Sequence, residues 1–389
     1  MAKNSNLGAA KAAKNDEFYT QYADIQMEVN AYLDYNPDTF RDKTVLLPCD
    51  DPEWSNFTKF FAQNFELLGL KKLLSTSYAY ESKKVKGPIQ LTLFETEAPQ
   101  FDATKTQTHG KIFVLDKDVN GDRRINIDDL EWRYLEGDGD FKSKEVTRLR
   151  DEADIIVTNP PFSLFREFLT WILKAHKKFI VIGNMNAITY KEVFPLIKNN
   201  EAWLGATGFV TDMVFGVPPG TVVRDSDKKK AERLGYVGNY TRLGNSCWYT
   251  NIEHGRRHQF LQLMTLEDNL KYSRHKEIKG KEKYDNYENY EAIEVPFTDA
   301  IPSDYEGVMG VPISFLDKYC PEQFKILGMC ENLDLYSLKT KVYSPKECKD
   351  AYLRKFGKLG TYDLNASGVI IINGQREKVY QRILIRKIQ

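Results

Sequence analysis

Asn159, Pro160, Pro161 and Phe162 stand together in IIVTNPPFSLFREF (155–168), where a short apolar run meets two prolines and an aromatic. Asn159 offers an amide oxygen that accepts hydrogen bonds and does not titrate. Pro160 offers a carbonyl but no N–H, and the following proline biases it toward an extended backbone. Two fixed acceptors can therefore converge on one point, with a flat ring beside them. That suits a planar –NH2 group conjugated to a ring. Accepting both of its hydrogens pulls the nitrogen toward tetrahedral geometry and frees its lone pair. No strong base is needed before attack, so Asn serves where acid–base catalysis would call for His or Glu. The plainer alternative is a strand-to-loop turn, since Pro-Pro often only punctuates. The apolar strand before, the helix pattern after and the aromatic in fourth place favour the amine clamp.

The clamp needs a strand that opens onto a crevice. TVLLPC (44–49), KKLLSTSY (71–78), WRYLEG (132–137), IIVT (155–158), KKFIVIGN (177–184), AWLG (202–205) and SCWYTNI (246–252) read as strands. Helical spacing fills the stretch to about Tyr35, then 55–70, 142–151, the run to His176, and 189–200. Alternating strands and helices predict a parallel, doubly wound α/β sheet, with polar insertions at 80–131 and 207–243. Such sheets bind ligands outside the carboxyl ends of their strands. CDDP, DGDF and TNPPF all fall at those ends, so they are expected to converge.

The totals narrow the partners. The 389 residues are 42% hydrophobic and 28% charged, and 55 Lys and Arg balance 55 Asp and Glu. A polyanionic partner must therefore be met by a local basic face. No apolar run is long enough to span a bilayer, so no membrane partner is expected. The start, MAKNSNLGAAKAAKN, lacks a signal-peptide core, which predicts a cytoplasmic protein. Cys49, Cys247, Cys320, Cys330 and Cys348 form no Cys-x-x-Cys pair, against a zinc site. His254 and His258 flank Gly255, Arg256 and Arg257, which reads as a solvated basic segment. DVNGDRRINIDDL (118–130) places Asp118, Asn120, Asp122, Asn126 and Asp129 at the spacing of a calcium loop. Arg123 stands where such loops need glycine, and a plain acidic loop is the competing reading.

Longer strings then carry a resemblance. DEFYTQY, CDDPEWSNFTKFFAQNF, LGLKKLL, GDGDF, DIIVTNPPFSLFREF, KKFIVIGN, GVMGVPISFLDKY, IING and RILIR are similar, in order, to the EcoRI-type adenine modification methylases. These enzymes transfer methyl groups from S-adenosylmethionine to adenine N6 in DNA. The resemblance implies a doubly wound, Rossmann-like methyltransferase sheet over 1–253 and a smaller DNA target-recognition region over 254–389. It implies that Asn159, Pro160, Pro161 and Phe162 are catalytic. Phe18, Tyr19 and Thr20 would lie against the methionine end of the cofactor. Cys49, Asp50, Asp51 and Pro52 would meet it where the first strand opens, although the usual glycine-rich loop is missing there. Ser55 and Asn56 are further candidates, and Asp50 and Asp51 could equally be helix caps. Asp140 and Phe141 match the segment that holds the cofactor adenine, and Glu81 is the nearest candidate for its ribose. Phe18, Tyr19 and Phe141 would also serve as plain core residues.

The substrate implied is duplex DNA with a flipped-out adenine. Lys11, Lys14, Arg256, Arg257, Arg274, Lys276, Lys281 and Lys283 are candidate DNA contacts, with the tyrosines of 271–290 interleaved among the last four. As charge runs alone they would read as a solvated face. Trp248 or Tyr249 would wall the flipped base. The resemblance further implies a monomer, with a cognate restriction endonuclease that does not touch it. Cytosine N4 or RNA as acceptor, or a non-catalytic DNA-binding regulator, are the alternatives.

Overall fold

The computed structural model describes residues 18–50, 55–79, 96–209, 213–218 and 220–388. Lys11, Lys14, Asp51, Pro52 and Glu81 lie outside the described residues. The chain forms two compact units, Met1–Gly255 and Arg256–Gln389. No described helix is long and apolar enough to cross a membrane.

In the first unit a short strand β1 (Tyr19–Thr20) leads into helix α1 (Tyr22–Tyr35). The sheet strands are β2 (Thr44–Leu47), β3 (Lys72–Ser77), β4 (Lys111–Leu115), β5 (Glu131–Tyr134), β6 (Ile155–Thr158), β7 (Lys178–Asn184) and β8 (Trp203–Leu204). After β9 (Val214–Gly216) and β10 (Tyr240–Arg242), β11 (Ser246–Thr250) returns to the sheet. Its order is β5-β4-β3-β2-β6-β7-β11-β8. The central β3-β2-β6-β7 block is parallel. β2 and β6 are buried along their whole length, as expected of strands covered on both faces.

The expectation of a parallel sheet holds for that block only. β4 runs antiparallel to β3, β5 to β4, β11 to β7, and β8 to β11. The apolar run KIFVL inside the polar insertion is the strand β4, which the surrounding polar residues obscured. Two reversals return β5 to the direction of β3, so DGDF still leaves at the same edge as CDDP and TNPPF. The single helix expected over 55–70 is two: α2 (Asn56–Gln63) and a turn at Phe65–Leu68. Asn64 breaks it by turning its Nδ2 onto the Phe60 carbonyl at 2.8 Å. The helix expected over 189–200 shrinks to Phe194–Lys198, because Pro195 can enter only its first turn.

Between β2 and β6 the chain direction of winding reverses: β2 leads outward to β3, and β6 leads the other way to β7. That switch point leaves a crevice at the strand ends. Leu47 and Thr158 are the last residues of the two strands, so Cys49-Asp50 and Asn159-Pro160 face each other across it. Helix α3 (Phe165–Leu173) follows β6 and buries Phe165, Phe168, Leu169, Trp171 and Ile172.

The second unit is built on a four-stranded sheet of β12 (Ile293–Glu294), β13 (Met309–Pro312), β14 (Phe324–Met329) and a late strand, Arg382–Lys387. Helix α4 (Pro345–Phe356) and a hairpin of β15 (Val369–Ile372) and β16 (Gln375–Lys378) precede that late strand, β17. Glu288 ties the hairpin down. Arg376 donates to both its oxygens, at 2.7 and 2.9 Å, Lys341 pairs with it, and the Tyr343 hydroxyl donates at 3.1 Å. These donors hold the Glu288 carboxyl at about 2, against an ordinary 4.5. A depressed carboxyl stabilises the fold above its ordinary value, and that contribution disappears as pH falls toward 2. Arg376→Ala is therefore expected to cost about 1–2 kcal/mol at pH 7, with the gap to wild type closing between pH 4.5 and 2. Denaturant melts of both proteins at pH 7 and pH 3 check this; a gap of equal size at the two pH values would refute it.

Candidate active site

Asn159 is held by one end of its amide. Nδ2 donates to the Phe18 carbonyl at 2.7 Å and to Thr20 Oγ1 at 3.3 Å. A carbonyl accepts only, so this contact fixes which end of the amide is nitrogen. Oδ1 is then left buried, with no hydrogen-bond partner among the described residues. Buried polar atoms are almost always paired, so an orphaned acceptor here is a vacancy for a donor. The Pro160 carbonyl likewise takes no hydrogen bond from a described residue. Pro161 is extended at φ −52° and ψ 123°, which starts the tight turn Phe162–Leu164.

The N-terminal segment makes this geometry. β1 pairs antiparallel with β9, setting Tyr19 opposite Gly216 and Thr20 opposite Phe215. Asn56, at the start of α2, donates from Nδ2 to the Thr20 carbonyl at 2.7 Å. Phe18 then stacks on Phe162, with centroids 5.6 Å apart and planes at 28°. Phe215 sets its ring edge-on to both, at 5.9 and 6.4 Å. Sequence reasoning missed Phe215. Its one signal was the apolar run MVFGV inside an insertion read as polar.

At the end of β2, Cys49 adopts φ +72°, the left-handed conformation that glycine normally supplies. The turn that a glycine-rich loop would make is thus made without glycine. Burial pushes the Cys49 thiol up, and its Sγ lies 3.7 Å from the Tyr78 hydroxyl. Asp50 is buried, and both its oxygens are occupied. Ser55 Oγ donates to Oδ1 at 2.7 Å and Thr158 Oγ1 reaches Oδ2 at 2.6 Å. Ser55 also caps α2 by accepting from the Phe57 amide at 3.1 Å. Ser75 Oγ donates to the Asp50 carbonyl at 2.6 Å. Asp50 thus knits β2, β3, β6 and α2 together under the crevice, while the cap of α2 is Ser55 and not Asp50.

Asp140 leaves β5 on a loop that crosses back to β3. The Ala79 amide donates to the Asp138 carbonyl at 2.7 Å, and Gly139 (φ +87°) packs against the Ser77 carbonyl so closely that a Cβ would lie 2.3 Å from it. Asp140 Oδ1 accepts from the Lys142 amide at 2.8 Å, and Oδ2 has no partner among the described residues. Phe141 points the other way. It is 1% exposed and packs on Phe168 and Trp171 at 5.0 and 5.6 Å. Its ring is core and offers no open face to a cofactor.

Several expected DNA contacts change meaning. Trp248 is 2% exposed and packs edge-on against Phe57, and Tyr249 is buried with its hydroxyl on the Asn184 carbonyl. β11 lies inside the sheet, so neither ring can wall a base. Arg257 is buried, and Arg256 pairs with Asp317 at 2.6 Å. In 271–290 three of the four tyrosines expected to meet bases are core residues: Tyr284, Tyr287 and Tyr290 are buried, and Tyr272 is exposed. Arg274 pairs with Asp299 and Lys281 with Asp285, whereas Lys276 and Lys283 are exposed.

The 118–130 loop turns its side chains onto its own backbone. Asp118 accepts from the Gly121 and Arg123 amides, Asn120 from Asp122, Asp122 from Arg124, and Asp129 from Asn126, Val119 and Asn120. Those amides hold the Asp129 carboxyl below its ordinary value. Asn126 and Asp129 form a capping box. Arg123 takes φ +67° at the position where glycine was expected. Among the described residues no cluster of three or more acidic, His or Cys side chains is placed to hold a metal, which removes the support for calcium.

Comparison with known proteins gives the family. The family described as adenine-specific methyltransferase EcoRI matches residues 6–388. The type II methyltransferase M.EcoRI of Escherichia coli is 40% identical over 341 residues, covering 86% of this chain and 91% of that protein. M.MpnI of Mycoplasma pneumoniae is 31% identical over 86% of this chain and 89% of its own length. M.MgeORF184P of Mycoplasma genitalium is 30% identical, over 99% of each chain. No solved structure matches. The chain belongs to the EcoRI family of adenine-specific DNA methyltransferases, enzymes that draw their methyl group from S-adenosylmethionine.

Proposed function

We propose that the crevice between β2 and β6 methylates the N6 amino group of an adenine flipped out of duplex DNA, with Asn159 and Pro160 as its amine clamp. The buried, unpartnered Asn159 Oδ1 carries this reading. One amine hydrogen goes to Oδ1 and the other to the Pro160 carbonyl. The nitrogen lone pair turns out of the ring, the nitrogen takes the methyl, and the displaced proton leaves to water. Desolvation of the crevice strengthens both hydrogen bonds, which are strongest as the nitrogen becomes positive. Phe162 carries the base ring on the face that Phe18 leaves open, and Phe215 braces both rings.

The donor set fits S-adenosylmethionine, which supplies an electrophilic methyl on a sulfonium. Asp140 Oδ2, half-buried and unpaired among described residues, is an acceptor for the cofactor's exocyclic amine. The left-handed turn at Cys49 leaves backbone facing the crevice, and Phe18, Tyr19 and Thr20 close its near side. Asp50, Ser55 and Asn56 position these elements without reaching the cofactor themselves.

The Arg256–Gln389 unit acts as the DNA target-recognition region. The relatives' designation as type II methyltransferases supports a cognate endonuclease that shares the target without touching this chain, and a cytoplasmic site of action. Plasmid from cells expressing the protein, digested to nucleosides, is expected to yield N6-methyladenine. N4-methylcytosine in its place, or unmodified DNA, would overturn the assignment.

A further inference from the structure

The second unit divides sharply by charge. Residues 256–338 hold 10 Lys and Arg against 15 Asp and Glu, whereas residues 339–389 hold 12 against 4. In a chain of zero net charge, the last 51 residues therefore carry a surplus of eight. Part of that surplus is spent inside the unit: Arg382 pairs with buried Glu294 at 2.6 Å, Arg376 and Lys341 with Glu288, and Lys355 with Glu377 at 3.1 Å. Lys346, Lys349, Arg354 and Lys358 are exposed and pair with no acid among the described residues.

Helix α4 presents these groups in a pattern. Cys348 and Ala351 are its buried face. On the outer side, Lys346, Lys349, Leu353 and Phe356 recur at the three- and four-residue spacing of one helix face. Leu353 is 45% exposed and Phe356 48%, and Leu359, just past the helix, is 91% exposed. Phe356 rests on Tyr352 and Tyr362, at 4.6 and 6.0 Å, and still leaves about half its surface open, which sets it and Leu353 as an apolar strip beside the lysines. The element is also rigid. Ser344 and Glu347 form a capping box, Pro345 opens the first turn, and Gly357 (φ +64°) closes the last. A groove of about 210 Å³ runs between it and the β15–β16 hairpin, lined by Asp350, Arg354, Ile371 and Arg376.

We propose that the Lys346–Lys349–Leu353–Phe356 face of α4 is the surface by which this enzyme docks on duplex DNA. The two lysines, with Arg354 and Lys358, take backbone phosphates. Leu353 and Phe356 lie against base edges, where thymine methyl groups are the apolar feature on offer. An α-helix fits the major groove, and this one is long enough, at about 18 Å, to cross it. The proposal displaces the 271–290 segment, where three of four tyrosines are buried and whose surroundings are net acidic, from that role. It rests on the reading of the second unit as the recognition region.

The test uses the full-length enzyme and fluorescent duplexes with and without a methylatable site, over a range of salt. Lys346→Ala/Lys349→Ala is expected to weaken binding to every duplex about 10-fold or more, and to lower the slope of log affinity against log salt by about 2. Leu353→Ala is expected to keep that slope while lowering the preference for the methylatable duplex about fivefold. Circular dichroism melts should match wild type, since all three side chains are exposed. Lys276→Ala/Lys283→Ala serves as the contrast. If it weakens binding and the α4 variants do not, the α4 proposal fails and the recognition reading of the unit stands. If neither pair has an effect, both fail.

Discussion

Asn159→Ala is expected to reduce methyl transfer by at least about 10³-fold while leaving the affinity for S-adenosylmethionine within about threefold of wild type. The magnitude follows from losing one of two acceptors that polarise the amine, each comparable to a preorganised oxyanion-hole donor. The selectivity follows from where Asn159 is anchored: its nitrogen holds the Phe18 carbonyl and Thr20 Oγ1, and its oxygen is left without a partner among the described residues. Asn159→Asp sharpens the test. The carboxylate keeps an acceptor for the amine but sets a second oxygen against the Phe18 carbonyl, so turnover should still fall by about 10²-fold. Single-turnover methylation with titrated cofactor separates the two quantities. An Asn159→Ala enzyme with near-normal turnover, or one that has lost cofactor binding in the same proportion, would end the clamp assignment.

Asp50→Ala should be the most destabilising single change in the crevice, at about 2–4 kcal/mol. Its carboxylate meets Ser55 Oγ and Thr158 Oγ1 in a buried setting, so its removal leaves the Ser55 hydroxyl without its acceptor and Thr158 with one partner fewer. Ser55 would still accept from the Phe57 amide but have no partner for its own hydrogen, and Thr158 would keep only the Pro48 carbonyl at 2.6 Å. Asp50→Asn retains an acceptor for Ser55, and Thr158 can rotate to accept from the new amide, so its cost should stay near 1 kcal/mol. Thermal melts of the two variants give the comparison. Equal losses would mean that the charge, not the hydrogen-bond geometry, is what Asp50 contributes. If Asp50 instead bound the cofactor directly, Asp50→Asn would lose affinity without losing stability.

The motif at 159–162 and the strands before it were legible because their information is local. A short β-branched run such as IIVT or TVLL, bounded by turn residues, favours a strand buried on both faces, and Pro-Pro restricts its own backbone. The same locality explains the errors. KIFVL was hidden because only five residues of strand sit within a long polar stretch. Trp248 and Tyr249 look like a pocket wall from their place after the sheet, but β11 inserts between β7 and β8 and buries them. The tyrosines of 271–290 alternate with charges as a nucleic-acid surface would, yet Tyr284, Tyr287 and Tyr290 turn inward, and Tyr287 spends its hydroxyl on Glu294. Burial is a property of what arrives from elsewhere in the chain, which no local spacing reports.

By itself, then, the sequence determined the chemistry: an amide oxygen and a proline carbonyl at a strand end, a flat ring beside them, and a chain too neutral to meet DNA except through a local face. The tertiary structure decided which atoms are free to act. Pairing β1 with β9 brings Phe18 and Thr20 onto the Asn159 nitrogen and Phe215 behind the two stacked rings, and only then is Oδ1 left buried and unsatisfied. A vacancy of that kind exists when every neighbour is in place, because it is defined by the partners that an atom does not have.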